Sequence, residues 1–432
     1  MKLEVDSPLS HSPELTDTPG GRRRWLICAL LFLASTINYT DRQVLGLLAP
    51  LLQVKFGWDE RQYANIGTAF LIAYAIGLPI IGRFIDRVGT RLGYSCAVAV
   101  WSLAAMSHAL ARTPFFFGVS RFFLGLGESG TFPASVKTVA EWFPRKERAL
   151  ATGLFNSGTN AGATIGPLVL PWIALRFGWQ YAFLFTGIFS VFWIVSWLTL
   201  YRSPQDDPRL SPAELAYILS DPAEPNIWLA WSNLLTHRQT WAFLLGKFLT
   251  DPIWWFFLFW LPKFFSSVHG VSLLGLGLPL VVIYNSATVG SVLGGWLPAR
   301  FLKMGWSLNR ARKTSMLICA IAVIPVVLAA KVHSLWGSIA LISLAVAAHQ
   351  GWSANLFTLS SDLFPKNAVA SVVGIGSFGG AVGGALIATF TGILLQLTHS
   401  YVPIFVLAAF VYLVALSVIH AFTPDLQPVI RL

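Results

Sequence analysis

Twelve stretches of this chain are almost free of charge, and each approaches the roughly 20 apolar residues that a helix needs to cross a bilayer. They are Trp25–Ala49, Tyr63–Ile81, Tyr94–Ala111, Phe115–Lys137, Ala149–Leu175 and Tyr181–Leu200, then Thr240–Leu261, Leu273–Leu297, Ser315–Ala330, Leu335–Leu359, Val369–Leu397 and Val402–Phe422. Inside lipid every backbone N–H and C=O must be satisfied within its own segment, so runs of this length read as helices. Composition agrees, because only 11% of the 432 residues are Asp, Glu, Lys or Arg, against roughly 25% in an ordinary soluble chain. With 55% hydrophobic residues, a soluble enzyme or a DNA-binding domain could not cover its apolar surface. The expected fold is an all-α membrane protein of twelve transmembrane helices, and no nucleic-acid partner is expected. Cys28, Cys96 and Cys319 lie inside apolar runs and form neither a disulfide framework nor a metal-ligand spacing.

Twelve spans put both ends of the chain on one side, and the basic residues choose which. Placing the termini inside assigns twenty Lys and Arg to that side, among them Arg22, Arg23, Arg24 and Arg310, and leaves six outside. The bias predicts cytoplasmic termini. Residues 1–24 read as a disordered cytoplasmic tail, 25–200 as a six-helix half, 201–239 as a polar, Pro-rich cytoplasmic linker, 240–422 as a second half and 423–432 as a short tail. Glu141, Phe143, Pro144, Arg145, Gly153, Gly158 and Gly162 recur as Asp362, Phe364, Pro365, Lys366, Gly374, Gly379 and Gly383, always 221 positions later. Seven matches in register indicate duplication. Two repeated six-helix halves with a midplane site between them are the arrangement of a rocking secondary transporter.

Two Gly-x-Gly-x-x-Gly runs, from Gly125 and from Gly374, match a dinucleotide fingerprint but follow no strand, so helix packing explains them better. No Walker A motif is present, no cofactor is expected, and uphill transport would draw on an ion gradient. The segment Gly82-x-x-x-Asp86-Arg87-x-Gly89-x-Arg91 closes the second span. Gly82 would let helices approach, and Asp86 with Arg87 and Arg91 could form an ion-pair network that opens and closes as a gate. Its second-half counterpart, Gly295-x-x-x-Ala299-Arg300, lacks the acid.

Charges at membrane depth cost several kcal/mol unless paired or hydrated, and here they are few. The acids are Asp41, Glu128 and Asp251, and the bases are Arg42, Arg121 and Lys247; Lys137 lies near the end of its span, where it can snorkel. Lys247 and Asp251 are four apart on one helix and can neutralise one another. Arg121 and Glu128 are seven apart, about 20° around a helix axis, and share a face. Asp41 and Arg42 diverge by about 100°, so one can face a cavity while the other meets a neighbouring helix. Four residues that merely brace the bundle are the plain alternative, although buried ion pairs seldom outdo apolar packing. Glu128 repeats as His349, which is followed by Gln350, Trp352, Ser353 and Asn355. Tyr74, Asn156, Asn160, Trp254 and Trp255 can complete a wall of donors and aromatic faces suited to a polyhydroxylated ligand.

At these residues the chain resembles the anion:cation symporter family of the major facilitator superfamily, and within it the bacterial hexuronate transporters. The similar stretches are INYTDRQVL from Ile37, RFFLGLGESGTFPA from Arg121, FNSGTNAG from Phe155, TDPIWWF from Thr250, GGWLPARFLKMGWSLNRARK from Gly294 and AHQGWSANLF from Ala348. The resemblance implies proton-coupled uptake of a sugar acid such as glucuronate or galacturonate by a monomer in a bacterial inner membrane. It implies that Arg42 binds the substrate carboxylate, that Asp41 and Glu128 carry protons, and that Arg121 orients or gates Glu128. Tyr74, Gln350, Ser353 and Asn355 match cavity positions. Galactonate or other aldonates, aromatic or dicarboxylic acids and organophosphates stay open as substrates, as does a membrane sensor of sugar acids that does not transport.

Overall fold

In the computed structural model, residues 21–58, 60–221, 231–271, 277–398 and 400–429 are described. Among them are no strands. The first half comprises α1 (Arg23–Phe56), α2 (Glu60–Val88), α3 (Thr90–Ser107), α4 (Pro114–Glu128), α5 (Thr131–Trp142), α6 (Arg145–Phe177) and α7 (Trp179–Leu200). Two short helices follow, α8 (Pro212–Ile218) and α9 (Trp231–Thr236). The second half comprises α10 (Arg238–His269), α11 (Gly277–Lys303), α12 (Leu308–Val323), α13 (Leu335–Leu363), α14 (Val369–Thr398) and α15 (Val402–Phe422). With α4 and α5 sharing one crossing, these make twelve spans in two six-helix halves, as the repeat predicts. The expected tail of residues 1–24 lies mostly outside the described residues, and so does the start of the eighth expected span.

Several helices outrun the apolar stretches that announce them. α1, α6 and α10 have 34, 33 and 32 residues, about 50 Å at 1.5 Å per residue, so they project past the hydrocarbon into the polar layers. Local signals set the ends. Gly57 adopts φ 66° after α1, a left-handed stop that costs glycine little. The Thr113 side chain accepts from the Phe116 N–H, with Pro114 opening α4. By length and composition alone, six of the described helices qualify as membrane spans. The helices α1, α4, α10 and α13, which carry most of the buried charges and amides of the central region, are not among them, α4 being only 15 residues long.

The fourth span, read from sequence as one helix, is interrupted at Ser129 and Gly130. Pro133 has no N–H to give the carbonyl of residue 129. Gly127 and Gly130 lie so close to α3 that an added methyl would meet Ala97 at both, and the backbone of Trp101 at Gly127. Glu128 is therefore the last residue of α4, set at the break.

Both ends of the described chain lie on one face, called here the terminal face. There the Val429 N–H donates to the Leu363 carbonyl at 2.8 Å, and Arg24 is paired with Glu147 at 2.8 Å and with Glu214 of α8 at 3.1 Å. The two halves meet through four glycines near this face. A methyl added to Gly82 would strike the Ala370 carbonyl, and one on Gly374 the Leu78 carbonyl, where α2 crosses α14. Likewise Gly153 abuts the Ser291 carbonyl and Gly295 that of Ala149, where α6 crosses α11. Gly153 and Gly374 are repeat-related, so the two crossings are images of one another.

Candidate functional site

A cavity lies between the halves, walled by α1, α2, α5 and α6 on one side and by α10, α13 and α14 on the other. Its first-half wall holds Tyr39, Arg42, Tyr74, Phe132, Asn156 and Thr159. The facing wall holds Lys247, Asp251, Trp254, Trp255, His349, Gln350, Ser353, Phe357, Ser377 and Ala381. Of the substrate-contacting residues expected from sequence, Arg42, Tyr74, Trp254, His349, Gln350 and Ser353 are thus in the wall.

Arg42 is the cation of the first half. Its Nε donates to Glu128 Oε2 at 2.6 Å, while the guanidinium carbon sits 4.4 Å from the Tyr74 ring centre and 4.8 Å from that of Tyr39. Aromatic faces on a planar cation hold it in place and leave its edge for a planar anion. Its Nη2 is buried without a hydrogen-bond partner, as is Glu128 Oε1. A buried donor of this kind is costly until something accepts from it.

Arg121 stands behind Arg42, outside the cavity wall. Its Nη2 donates to the Arg42 carbonyl at 3.3 Å and its guanidinium lies 5.8 Å from the Phe70 ring centre. Glu128 is thus paired with Arg42 of another helix, and not with the arginine that shares its own helix face. Asp41 points away from the cavity. Both its oxygens are buried without a partner in hydrogen-bonding geometry, with Glu128, Arg121 and the Thr186 hydroxyl around them. Two expected contacts also fall outside the wall. The amide of Asn160 is buried with neither end bonded, and Asn355 donates to the carbonyls of Gly294 and Gly351, holding α13 to α11.

The cavity floor, toward the terminal face, is a polar bridge between halves. Asn156 Nδ2 donates to Gln350 Oε1 at 2.8 Å and to Ser291 Oγ at 3.1 Å, and Ser291 Oγ donates to the Gly153 carbonyl. Above it, the His349 ring is parallel to Trp254 at 5.6 Å and bonded through Nδ1 to the Tyr412 hydroxyl at 2.6 Å. Lys247 and Asp251 form the expected ion pair at 2.7 Å, and both face the cavity. Sequence reasoning treated that pair as self-contained, because a helix alone does not reveal what its face meets.

The residues expected to form a gate lie at the terminal face, away from the cavity. Asp86 is buried, takes a 2.8 Å ion pair from Lys137 and accepts from the Ser371 N–H of α14 at 2.7 Å. Arg87 is exposed, and Arg91 donates to the Leu198 carbonyl, so the partner of Asp86 is a lysine and not an arginine. Lys137 correspondingly does not snorkel, being 4% exposed, since Asp86 reaches it from α2. The second half builds its own pair from the repeat of Glu141. Asp362 accepts from Arg312 Nε at 2.9 Å, and Arg312 also donates to the Arg145 carbonyl across the halves. Arg148 reaches the Ser361 carbonyl from the other direction.

Two six-helix halves around a charged central cavity, sealed at one face, define a membrane transporter by their architecture. Residues 31–388 match the family model of the Major Facilitator Superfamily, and the chain belongs to that family; it is a transporter and not an enzyme. It is 32% identical over 402 residues to the hexuronate transporter of Escherichia coli strain K12, covering 91% of this chain and 93% of that protein. The galacturonate transporter of Dickeya chrysanthemi is 33% identical over 286 residues, 65% of this chain and 83% of that one. The D-galactonate transporter of Escherichia coli O6:H1 is 29% identical and covers 93% and 94%. Among solved structures, the proton:xylose symporter XylE bound to 6-bromo-6-deoxy-D-glucose superimposes with a TM-score of 0.73 at 15% identity, covering 94% of this chain and 97% of that one. That likeness concerns the fold.

Proposed function

We propose that the chain takes up hexuronates such as glucuronate and galacturonate by proton-coupled symport, working as a monomer in a bacterial inner membrane with both termini in the cytoplasm. The observation that carries the reading is Arg42, a cation held in the cavity wall by aromatic rings, with one buried nitrogen unsatisfied and Glu128 as its ionic partner. A substrate carboxylate would take the guanidinium edge in a two-oxygen pairing. Glu128, losing that partner in a buried setting, would then hold a proton more readily. Substrate and proton would each favour the binding of the other, as linkage requires. Asp41, beside Glu128 and equally dry, is the second proton-carrying acid, and Arg121 fixes Arg42 by holding its backbone carbonyl. No cofactor is needed beyond the proton.

Hexuronate and galacturonate relatives spanning most of the chain support the substrate class, and aromatic faces beside amide and hydroxyl groups suit a polyol. The basic-residue bias supports the orientation, which makes the sealed terminal face cytoplasmic. The glycine crossings and the Asp86 and Asp362 pairs at that face then act as the inner gate. Uptake of labelled glucuronate into proteoliposomes under an imposed pH gradient tests the reading, with galacturonate, galactonate, galactarate and a sugar phosphate as competitors. Accumulation inhibited best by the hexuronates is the expected result. Uptake blind to the gradient, or a galactonate preference, would replace it.

A further inference from the structure

Lys247 and Asp251 form an ion pair in the cavity wall that the proposed cycle leaves unused. We propose that this pair is the second binding point of the cavity and reads adjacent hydroxyl groups on the ligand, opposite the carboxylate held by Arg42. The inference rests on the sugar-acid reading and deepens it by assigning the residues that select for hydroxyls.

Placement is the first argument. Arg42 belongs to the first half and the Lys247–Asp251 pair to the second, and both face one cavity. A ligand bridging them would touch both moving bodies. The second argument is chemical. The Nζ–Oδ2 distance is 2.7 Å, and Asp251 keeps 17% of its side chain exposed, within the wall. An ammonium already neutralised by its neighbour is a poor site for a free anion. It still offers donors beside an acceptor, a few ångströms apart. Two neighbouring hydroxyls match that spacing, one accepting from Lys247 and the other donating to Asp251.

The third argument is that the surroundings make room for the pair. A methyl on Gly380 of α14 would collide with the Asp251 carboxylate, and one on Gly384 with the Trp255 ring. The Lys247 ammonium lies 4.1 Å from the Phe357 ring centre, which fixes its direction. Trp254 and Trp255 line the same space, and aromatic side chains there suit the C–H face of a sugar ring. A pair serving packing alone would gain little over two apolar residues of similar volume and would need no opening to the cavity.

The test is calorimetric titration of the purified full-length protein with glucuronate, with galactarate and with cyclohexanecarboxylate, a ring acid without hydroxyls. In the charge-free double variant Lys247→Met/Asp251→Leu, glucuronate should weaken by at least about tenfold while cyclohexanecarboxylate stays within about twofold. The milder Lys247→Gln/Asp251→Asn variant keeps a donor and an acceptor, so it should retain most of the discrimination. Thermal melting of each variant reports its folding. An unchanged ratio of the two affinities in the charge-free variant overturns the proposal, as does a milder variant that binds glucuronate no better. A loss confined to galactarate would also overturn it, assigning the pair to a second carboxylate instead. Wild-type protein with no preference for glucuronate over the hydroxyl-free acid would overturn the sugar-acid reading itself, a result visible before any variant is made.

Discussion

Arg42 on α1 is ion-paired with Glu128, the last residue of α4, at 2.6 Å, and the contact joins the cavity wall to a carboxylate buried behind it. Each residue is placed so that an arriving anion must compete with an anion already present.

Replacing Arg42 by alanine should abolish hexuronate binding, because it removes the anchor and strands Glu128 as an unpaired buried acid. Breaking a buried pair from one side costs roughly 3–5 kcal/mol, so melting temperature should fall as well. The double variant Arg42→Ala/Glu128→Gln should recover the melting temperature without recovering binding. Arg42→Lys should bind weakly, since an ammonium cannot form the two-oxygen fork. Calorimetry beside thermal melting checks all three. Near wild-type affinity in Arg42→Ala would move the carboxylate to Arg121 or Lys247.

Glu128→Gln is permanently neutral and nearly isosteric, so it imitates the protonated acid. The variant should bind substrate and exchange it across a liposome membrane, yet fail to accumulate it under an imposed proton gradient. Counterflow and gradient-driven uptake, measured on the same vesicles, separate these outcomes. Wild-type accumulation would leave Asp41 as the coupling acid, to be examined as Asp41→Asn.

At the terminal face, Gly82→Val should hinder closure, since even a methyl there meets the Ala370 carbonyl. Transport should fall at least about tenfold while substrate affinity changes little, a split that follows from losing one conformational state. Spin-label distances between α2 and α14 should lengthen in the variant. Unaltered distances with intact transport would show that the crossing tolerates separation.

Arg312 and Asp362 are both fully buried and bonded to one another. Asp362→Asn leaves Arg312 as an uncompensated charge, a loss of roughly 3–5 kcal/mol. Thermal melting in detergent should register that as the largest drop among the gate variants. Asp86→Asn should melt higher than Asp362→Asn, because Asp86 compensates one cation, Lys137, whereas Asp362 faces two, Arg312 at 2.9 Å and Arg148 at 4.0 Å.

Orientation can be read with reporters. A fusion after Leu432 active only in the cytoplasm would agree with the basic-residue bias, and activity on the outer side would contradict it.

The twelve spans and the duplication were legible because both depend on one-dimensional signals, apolar run length and a constant offset. The candidate site was legible as chemistry but not as pairing. Arg121 and Glu128 share a face of one helix, which suggests partnership, yet Arg42 intervenes from α1. Only the packing of α1 against α4 decides that. Lys137 looks like an end-of-span residue by counting, but α5 continues to Trp142 and Asp86 arrives from another helix. The break at Ser129–Gly130 was written in Gly125, Gly127, Gly130 and Pro133, a glycine spacing that equally describes close helix packing. Asn160 and Asn355 have cavity-like chemistry and lie one position from Thr159 and two from Ser353, about 100° and 160° away around the helix axis. Their exclusion is a matter of rotation about the helix axis, which composition does not specify.

The four glycines at the α2–α14 and α6–α11 crossings join backbone to backbone, with no ionisable group at the point of contact. Such a seal has the same strength at any pH and any salt concentration, because its strength comes from shape. The pairs beside it, Asp86 with Lys137 and Asp362 with Arg312, are held by charge instead. Contact by shape and contact by charge thereby fall to different residues of the same face. A change of acidity or salt would leave those glycine contacts as tight as before.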